Sequence, residues 1–179
     1  ISFEVIVVDN HSRDDCEQLV RERYGDRVIY LSLPKNIGFG RANNEGVRIA
    51  KGRNILFLNP DTLLINNAIE ILSGCLDNHP DTGAVGGNLY SPDGKPNVSF
   101  NRVFPSVFDE TDQAMFRLLS RLRFGRNGLF NYTGRLLEVG FIVGADLMVP
   151  RKLLEKVGAF DPDFFMYYEE TELCWRIRK

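Results

Sequence analysis

A chain of 179 residues, 44% of them hydrophobic and 26% charged, has the size and composition of one globular domain with a buried core. Its formal net charge of −2 lacks the basic excess with which nucleic-acid-binding proteins neutralise phosphates, so we expect no nucleic-acid partner. The cysteines, Cys16, Cys75 and Cys174, are widely spaced and form no CxxC pair, which argues against a disulfide framework and against a cysteine zinc site.

Strand-like and helical patterns alternate along the first half of the chain. The predicted strands are continuous apolar runs at residues 3–8, 28–33, 54–59 and 82–90. The predicted helices have apolar residues three or four apart and cover about 14–24, 39–51 and 67–78. This order indicates an α/β fold with a mostly parallel central sheet and helices on both faces. Such sheets bind ligands beyond the carboxyl ends of their strands.

The pattern changes after residue 90, where a turn-rich connection leads to a helical pattern at 111–126 that is basic at its end. Residues 136–150 predict two short strands about a glycine, and a helix is predicted at 151–157. The last segment, "FDPDFFMYYEETELCWRIRK", is an aromatic-rich loop that leads into a final helix. Since no repeat or linker interrupts the sequence, we expect a single domain.

The chain contains no stretch that approaches the roughly 20 apolar residues of a membrane span. Its first residues, "ISFEVIVVDN", lack the basic region and the cleavage site of a signal peptide. We therefore expect a soluble, cytoplasmic protein. Because the chain enters an apolar strand almost at once and without a methionine, we also expect a fragment of a longer protein.

Acidic and amide side chains follow two of the predicted strands. Asp9 and Asn10 end "VIVVDNHS", and Asn59 and Asp61 end "ILFLNPD". Asp and Asn often serve only as helix caps and turn formers, and that reading stays open for each residue alone. Pro60 removes a backbone donor and keeps the preceding residue extended, so Asp61 is presented beyond the strand. A carboxylate there suits a hard divalent cation whose shell is completed by phosphate oxygens.

Between these two strands lies a glycine-bearing entry to a helix, "NIGFGRANNEG" at 36–46. Gly38 and Gly40 permit a close backbone approach, and a helix N-terminus with Arg41 nearby favours an anion. A glycine-rich loop before a helix is also common without any such role.

Four segments, in this order, resemble the family 2 glycosyltransferases and especially their bacterial rhamnosyltransferase-like branch: "EVIVVDNHS", "NIGFGRANNEG", "FLNPDT" and "VGADLMVPRKLLEKVGAFDPDFFMYYEETELCWRIR". The resemblance covers nearly the whole chain. It implies a GT-A nucleotide-diphospho-sugar transferase fold, inversion at the anomeric carbon, and Mg²⁺ or Mn²⁺ as the cofactor. It further implies one catalytic domain over 1–179, with a nucleotide-binding part at 1–90 and an acceptor and catalytic part at 91–179.

The resemblance also implies which residues bind the nucleotide-sugar donor. They lie at the ends of strands, in the glycine-bearing loop and after a later glycine: Asp9, Asn10, Asn36, Gly38, Arg41, Asn44, Asn59, Asp61, Gly144, Ala145 and Asp146. Asp9 matches the aspartate that contacts the nucleotide base. Asn59 and Asp61 match the family's DxD motif, with an amide in place of the first carboxylate, so Asp61 is the implied metal ligand.

The acids of "YEETE" match the family's ED-x-D pattern, with Glu170 at the place of the second acid and with Glu169 and Glu172 beside it. In an inverting transfer, an acceptor hydroxyl attacks opposite the leaving nucleoside diphosphate, which requires a general base. We expect Glu170 to be that base, with Glu169 and Glu172 orienting neighbours or binding the acceptor. Acids that merely complement a helix N-terminus are the alternative.

The implied substrates are a nucleotide-activated donor, dTDP-rhamnose or a UDP-sugar, and a glycan or lipid-linked acceptor of a bacterial polysaccharide pathway. The family normally begins with a strand and a helix that would precede residue 1, and this chain stops within its last helix. The resemblance therefore implies a domain truncated at both ends. A nucleotidyltransferase and a catalytically silent nucleotide-sugar-binding or interaction module remain the alternatives.

Four arginines lie in the basic helical pattern: Arg117, Arg121, Arg123 and Arg126. Such a helix is able to contact anionic lipid, which would place the protein at the inner face of the plasma membrane. A solvated helix face is the alternative that the pattern favours more.

Overall fold

The computed structural model describes residues 1–105 and 129–179. In these ranges the strands are β1 (Val5–Asp9), β2 (Val28–Ser32), β3 (Asn54–Leu58), β4 (Phe100–Asn101), β5 (Phe141–Ile142) and β6 (Asp146–Pro150). The helices are α1 (Cys16–Tyr24), α2 (Phe39–Ile49), α3 (Ala68–Asn78), α4 (Arg151–Val157) and α5 (Glu169–Arg178). The α/β class that the sequence predicts is confirmed, and most predicted elements lie within two or three residues of the observed ones.

The strands pair in both directions. β1 and β2 are parallel, with Val5 opposite Val28, as the alternation of strands and helices predicts. β3 pairs with β6 in antiparallel register, with Leu58 opposite Asp146. β4 and β5 are also antiparallel. The partner of β3 therefore comes from the second half of the chain, which brings the residues after β3 beside those before β6.

The start of β1 also lies close to the start of β3. The Glu4 carboxylate accepts hydrogen bonds from the backbone N–H groups of Lys51 and Gly52, at 2.7 and 2.8 Å. Glu4 directly precedes β1, and these two residues lie just before β3. The two strands therefore begin at the same end of the molecule.

Residues 82–90, which the sequence predicts to be a strand, form only isolated bridges, and this prediction is wrong. Val85 exchanges two backbone hydrogen bonds with Met148 of β6, at 2.9 and 2.8 Å. The two glycines that follow pass too close to β5 and β6 for any side chain. A Cβ at Gly86 would lie 2.4 Å from the Ile142 side chain, and one at Gly87 would lie 2.8 Å from an Asp146 carboxylate oxygen. Glycine in an apolar run often marks such a close approach.

β6 is the centre of the core. Leu147 and Val149 are fully buried on one face, where α4 and α5 contribute Leu154 and Leu173. Met148 points to the other face and packs against α3. Because alternate residues on both faces of β6 are apolar and buried, its ends are held firmly, including the Asp146 end that adjoins β3.

The predicted helix at 111–126, with its four arginines, lies outside the described residues and stays a prediction. Among the helices that the structure does describe, none combines the length and apolar character needed to cross a membrane.

Candidate functional site

The carboxyl end of β1 presents an ionised carboxylate. The backbone N–H of Ser12 donates to Asp9 Oδ1 at 2.7 Å. Hydrogen bonding from Ser12 holds the pKa of Asp9 below its ordinary value, although partial burial opposes this effect. Asp9 is therefore an acceptor for N–H or hydroxyl groups of a ligand at this strand end.

Two asparagine side chains fasten the following loop to the end of β1. Asn10 Nδ2 donates to Asn36 Oδ1 at 3.0 Å and to the Gly38 carbonyl at 3.2 Å. In return, Asn10 Oδ1 accepts from the Ile37 N–H at 2.9 Å, and Asn36 Oδ1 accepts from the Gly38 N–H at 2.9 Å. The loop that opens α2 is thus fixed beside the end of β1, and its contact with a nucleotide stays a prediction.

Gly38 connects this loop to the aromatic segment before α5. Its φ is +92°, and a Cβ there would lie 2.6 Å from the Phe165 carbonyl oxygen. The same carbonyl accepts a hydrogen bond from the Phe39 N–H at 2.9 Å. Only glycine fits this position, because both its backbone conformation and its surroundings exclude a side chain.

The side chains of Arg41 and Asn44, which the resemblance places beside the nucleotide, point to the same segment. Arg41 Nε donates to the Pro162 carbonyl at 2.6 Å. Asn44 Nδ2 donates to the Phe160 carbonyl at 2.7 Å, and Asn44 Oδ1 accepts from the Phe160 N–H at 2.9 Å. Their role as direct nucleotide contacts stays a prediction, and their observed contacts hold the 160–162 backbone against α2.

The end of β3 adjoins the segment before β6. The Asn59 N–H donates to the Ala145 carbonyl at 3.1 Å, and the Thr62 N–H donates to the Asn59 carbonyl at 3.1 Å. These bonds close a turn that leaves Asp61 exposed to solvent. Asn59 and Ala145, which are 86 positions apart in the sequence, are therefore neighbours.

Asp146 is a buried carboxyl behind this turn. Its side chain is 7% exposed, and one oxygen accepts a 2.6 Å hydrogen bond from the Gly87 N–H. The other oxygen, Oδ1, is buried and has no hydrogen-bond partner among the described residues. Burial raises the pKa of Asp146 to about 6, and the bond from Gly87 offsets only part of this effect. Gly86 and Gly87 were not predicted from the sequence as residues of this site. The signal that could have identified them is a pair of glycines within an apolar run.

The three glutamates of α5 occupy different environments. Glu169 is 2% exposed and packs against Gly40, where a Cβ would lie 3.3 Å from its Cγ. Glu170 is half-buried beside Gly144, where a Cβ would lie 3.5 Å from the Glu170 Cβ and Cγ. Glu172 forms a 2.6 Å ion pair with Arg176.

The surroundings of Glu170 perturb its carboxyl group. Burial raises its pKa above the ordinary value, and the charge of Glu169 adds to this shift. A half-buried carboxylate with a raised pKa binds a proton more readily than a solvated one does. Together with Gly144 and Ala145, Glu170 therefore places a half-buried carboxyl close to the end of β3.

The backbone immediately before these glutamates is strained. Tyr167 and Tyr168 both have positive φ, at +74° and +71°, and both side chains are exposed. Left-handed conformations cost non-glycine residues about 1–2 kcal/mol each, and they concentrate at functional sites. The strain lies where the chain turns from the Phe165 contact with Gly38 into the first turn of α5.

A divalent cation would find only part of its ligand shell in the described residues. No group of three or more His, Cys, Asp and Glu side chains lies close enough together there to hold a metal. Asp61 and Asn59 offer oxygen donors of the kind that Mg²⁺ and Mn²⁺ accept. This donor set fits a hard cation that takes its remaining ligands from phosphate oxygens and water.

Solved structures share this fold. A mannosyltransferase from Pyrobaculum calidifontis, in complex with GDP-Man and Mn²⁺, is similar with a TM-score of 0.63 and 20% identity, over 97% of this chain and 42% of that one. TarS 1-349 from S. aureus is similar with a TM-score of 0.61 and 19% identity, over 98% and 45% of the respective chains. The fold is therefore that of the GT-A glycosyltransferases.

The chain belongs to glycosyl transferase family 2, whose family model matches residues 2–158. It is 28% identical to the low-salt glycan biosynthesis hexosyltransferase Agl10 of Haloferax volcanii, over 98% of this chain and 53% of that protein. It is 27% identical to the N-acetylglucosaminyl-diphospho-decaprenol L-rhamnosyltransferase of Mycobacterium tuberculosis, over 98% of this chain and 61% of that protein. The chain thus spans between about half and three fifths of the length of these relatives, and the predicted family is confirmed.

Proposed function

We propose that this chain carries the catalytic domain of an inverting glycosyltransferase that uses a nucleotide-diphosphate sugar, dTDP-rhamnose or a UDP-sugar. The acceptor is a glycan or a lipid-linked glycan in bacterial polysaccharide synthesis. The observation that carries this proposal is the position of Glu170, a half-buried carboxyl with a raised pKa beside Gly144 and near the β3 turn.

The donor occupies the strand ends of the first half, residues 1–90. Asp9, ionised and held by Ser12, accepts hydrogen bonds from the nucleoside. The loop fixed by Asn10 and Asn36 forms the adjoining wall, and its rigidity limits the conformational entropy lost on binding. Gly144, Ala145 and Asp146 border the transferred sugar, and residues 91–179 supply the acceptor side.

Asp61, with Asn59, holds the divalent cation through its exposed carboxylate. A cation held there would supply positive charge for the diphosphate as it departs. Support comes from a structural neighbour in complex with GDP-Man and Mn²⁺, and from the oxygen donors at the β3 turn.

Glu170 removes the proton of the acceptor hydroxyl as that oxygen attacks the anomeric carbon opposite the leaving group. The proton moves to a Glu170 carboxylate oxygen, and the C–O bond to the nucleoside diphosphate breaks as the new glycosidic bond forms. Glu169 is enclosed against α2 and Glu172 is bound by Arg176, so both support the base rather than replace it.

The acceptor class rests on the relatives. One is named for transfer to an N-acetylglucosaminyl-diphospho-decaprenol and another for glycan biosynthesis. A lipid-linked acceptor would bring the enzyme to the cytoplasmic face of the membrane, where contact through the arginines at 117–126 stays a prediction.

Calorimetry of the full-length protein tests the donor site and the cation together. We expect one donor from a panel of dTDP-rhamnose, UDP-sugars and GDP-mannose to bind in the presence of Mn²⁺, with weaker binding once EDTA removes the cation. Asp61→Asn should lose this Mn²⁺ dependence without a change in folding, whereas the exposed Asp163→Asn should retain it. If no nucleotide sugar binds, the proposed function is wrong; if Mn²⁺ affects wild type and Asp61→Asn equally, the metal assignment alone is wrong.

A further inference from the structure

One short backbone segment, Val157–Ala159 after α4, is held by a single guanidinium. Arg176 Nη1 donates to the Val157 carbonyl at 2.6 Å and to the Gly158 carbonyl at 3.0 Å, and Nη2 donates to the Ala159 carbonyl at 2.6 Å. Glu172 accepts from Nε at 2.6 and 2.8 Å and from Nη2 at 2.6 Å. Both charged side chains are about one fifth exposed, at 22% and 20%. This arginine therefore binds three consecutive carbonyls and one carboxylate.

The next residue is held from the opposite side. Asn44 of α2 both donates to the Phe160 carbonyl and accepts from the Phe160 N–H. We call the side chains of Asn44, Glu172 and Arg176, together with the backbone of residues 157–160, the 157–160 clasp. The clasp joins α2 to α5 through hydrogen bonds to one stretch of backbone.

The clasp holds the backbone of Phe160, whose ring lies in the same core cluster as side chains of α5. Phe160 is 2% exposed, and its ring centroid lies 4.6 Å from that of Phe57 and 6.1 Å from that of Phe39. A Cβ at Gly40 would touch both Phe160, at 3.1 Å, and Glu169, at 3.3 Å. Phe160 and Glu169 therefore both flank Gly40, and Phe160 shares a core cluster with Leu173 and Cys174 of α5.

Gly158, in the middle of the segment, has φ of +85°, and a Cβ there would lie 3.2 Å from Arg176 Nη1. A guanidinium with its fixed fork of donors suits several acceptors at once, whereas an ammonium acts as a point charge. The segment is thus shaped around an arginine at this position.

We propose that Asn44 and Arg176 are positioning residues for glycosyl transfer, because the 157–160 clasp sets the place of the Glu170 carboxylate relative to the acceptor hydroxyl. This proposal rests on the proposed function of Glu170 as the base. Arg176 acts through Glu170 and touches neither donor nor acceptor.

Steady-state kinetics of the full-length protein test the proposal with Arg176→Met. Its matched control is Arg178→Met, since Arg178 lies on the same helix but contacts Val139 and Glu138 instead. A misplaced base should lower kcat by about tenfold or more, while the donor KM changes by less than about threefold. The control should keep both constants near those of wild type, and Arg176→Lys, which retains a donor and the charge, should recover part of the lost kcat.

The decisive measurement is the kcat of the double variant that combines Arg176→Met with Glu170→Gln. A positioning residue has nothing left to position once the base is gone, so Arg176→Met should then lower the residual kcat by less than about threefold. If the tenfold loss persists in that background, or if Arg176→Met behaves like Arg178→Met, the clasp proposal is overturned. If Glu170→Gln alone keeps wild-type turnover, the base assignment of the proposed function fails instead.

Asn44→Ala provides the second approach to the clasp, and it serves alone if Arg176→Met does not fold at the assay temperature. It removes both hydrogen bonds to Phe160 and leaves the contacts of Arg176 in place. We expect the same loss of kcat and the same dependence on Glu170. Wild-type kcat in a folded Asn44→Ala protein would overturn the proposal.

Discussion

Glu169, Glu170 and Glu172 show how three identical side chains within one helical turn acquire different chemistry. Glu169 is enclosed beside Gly40, Glu172 is neutralised by Arg176, and Glu170 is left half-buried beside Gly144. Three hydrogen bonds from Arg176 occupy both oxygens of the Glu172 carboxylate. The surroundings of each glutamate, rather than its residue type, therefore single out Glu170 as the proposed base.

Replacing Glu170 with glutamine should remove the base while keeping the size and hydrogen bonding of the side chain. We expect turnover to fall by roughly 10²- to 10⁴-fold, with little change in donor affinity, because the carboxylate acts on the acceptor proton. Single-turnover kinetics and donor calorimetry measure the two effects separately. Glu155→Gln, at an exposed position of α4, is the control. Normal turnover in Glu170→Gln together with a large loss in Glu169→Gln would move the base by one residue.

Asp146 should make the stability of the protein depend on pH. Its folded-state pKa of about 6 is raised above the ordinary 3.8, so the folded state favours the protonated form. The stabilisation is fully present below pH 3.8 and is lost as the pH rises through about 6. At neutral pH this loss approaches about 3 kcal/mol as an upper value, since one pKa unit is worth about 1.4 kcal/mol.

Urea unfolding of wild type and Asp146→Asn at several pH values measures this effect. Asparagine cannot ionise, so the free energy of unfolding of the variant should gain on that of wild type between pH 4 and 7. A difference between the two proteins that stays constant over this range would show that Asp146 is not the responsible group.

At the scale of elements, one glycine, Gly38, allows the loop before α2 to contact the aromatic-rich segment before α5. Gly38→Ala introduces a left-handed alanine and also places a Cβ 2.6 Å from the Phe165 carbonyl. Gly25 is the matched control, because its φ is also positive, at +54°, but its Cβ position has no neighbour within 4 Å. Gly25→Ala should therefore cost only the free energy of placing an alanine at a positive φ, and Gly38→Ala should cost more because its Cβ also meets the Phe165 carbonyl. Equal losses in urea unfolding would mean that the loop contact carries no strain.

Elements whose signals are local could be predicted well from the sequence. Helix α4 occupies residues 151–157, as predicted, because Pro150 precedes it and Gly158 follows it. Residues 82–90 could not be predicted in this way, since the apolar run looks like a strand while the approach of Gly86 and Gly87 to Ile142 and Asp146 is a tertiary contact. The antiparallel partner of β3 was likewise beyond local patterns, because β6 lies almost 90 residues further along the chain.

The candidate site also has features that the sequence predicts and features that it does not predict. The polar residues at the ends of β1 and β3 can be predicted from the sequence. Asp and Asn that follow an apolar run show where the strand ends. The hydrogen-bond partners of Asn44 and Arg176 cannot be predicted from the sequence. They are backbone carbonyls, which every residue type has, so the accepting residues carry no sequence signal. The resemblance assigns Arg41 and Asn44 to the nucleotide, and this role stays a prediction beside their observed contacts with the 160–162 backbone.

At the scale of the whole molecule, the two halves of the chain meet along contacts that converge on the segment before α5 and on the first turn of α5. Gly38 contacts Phe165 from the β1 side, and Gly144 contacts Glu170 from the β3 side. The strands that precede these contacts begin together, through Glu4 and the turn at Lys51. One loop therefore connects the proposed nucleoside site to the proposed base.

The anomeric configuration of the product tests the central claim most directly. The full-length protein is incubated with the donor that calorimetry identifies and with a lipid-linked or oligosaccharide acceptor, and the new linkage is examined by NMR. We predict a configuration opposite to that of the donor, because the acceptor deprotonated by Glu170 attacks from the face away from the diphosphate. A product that keeps the configuration of the donor would contradict the account.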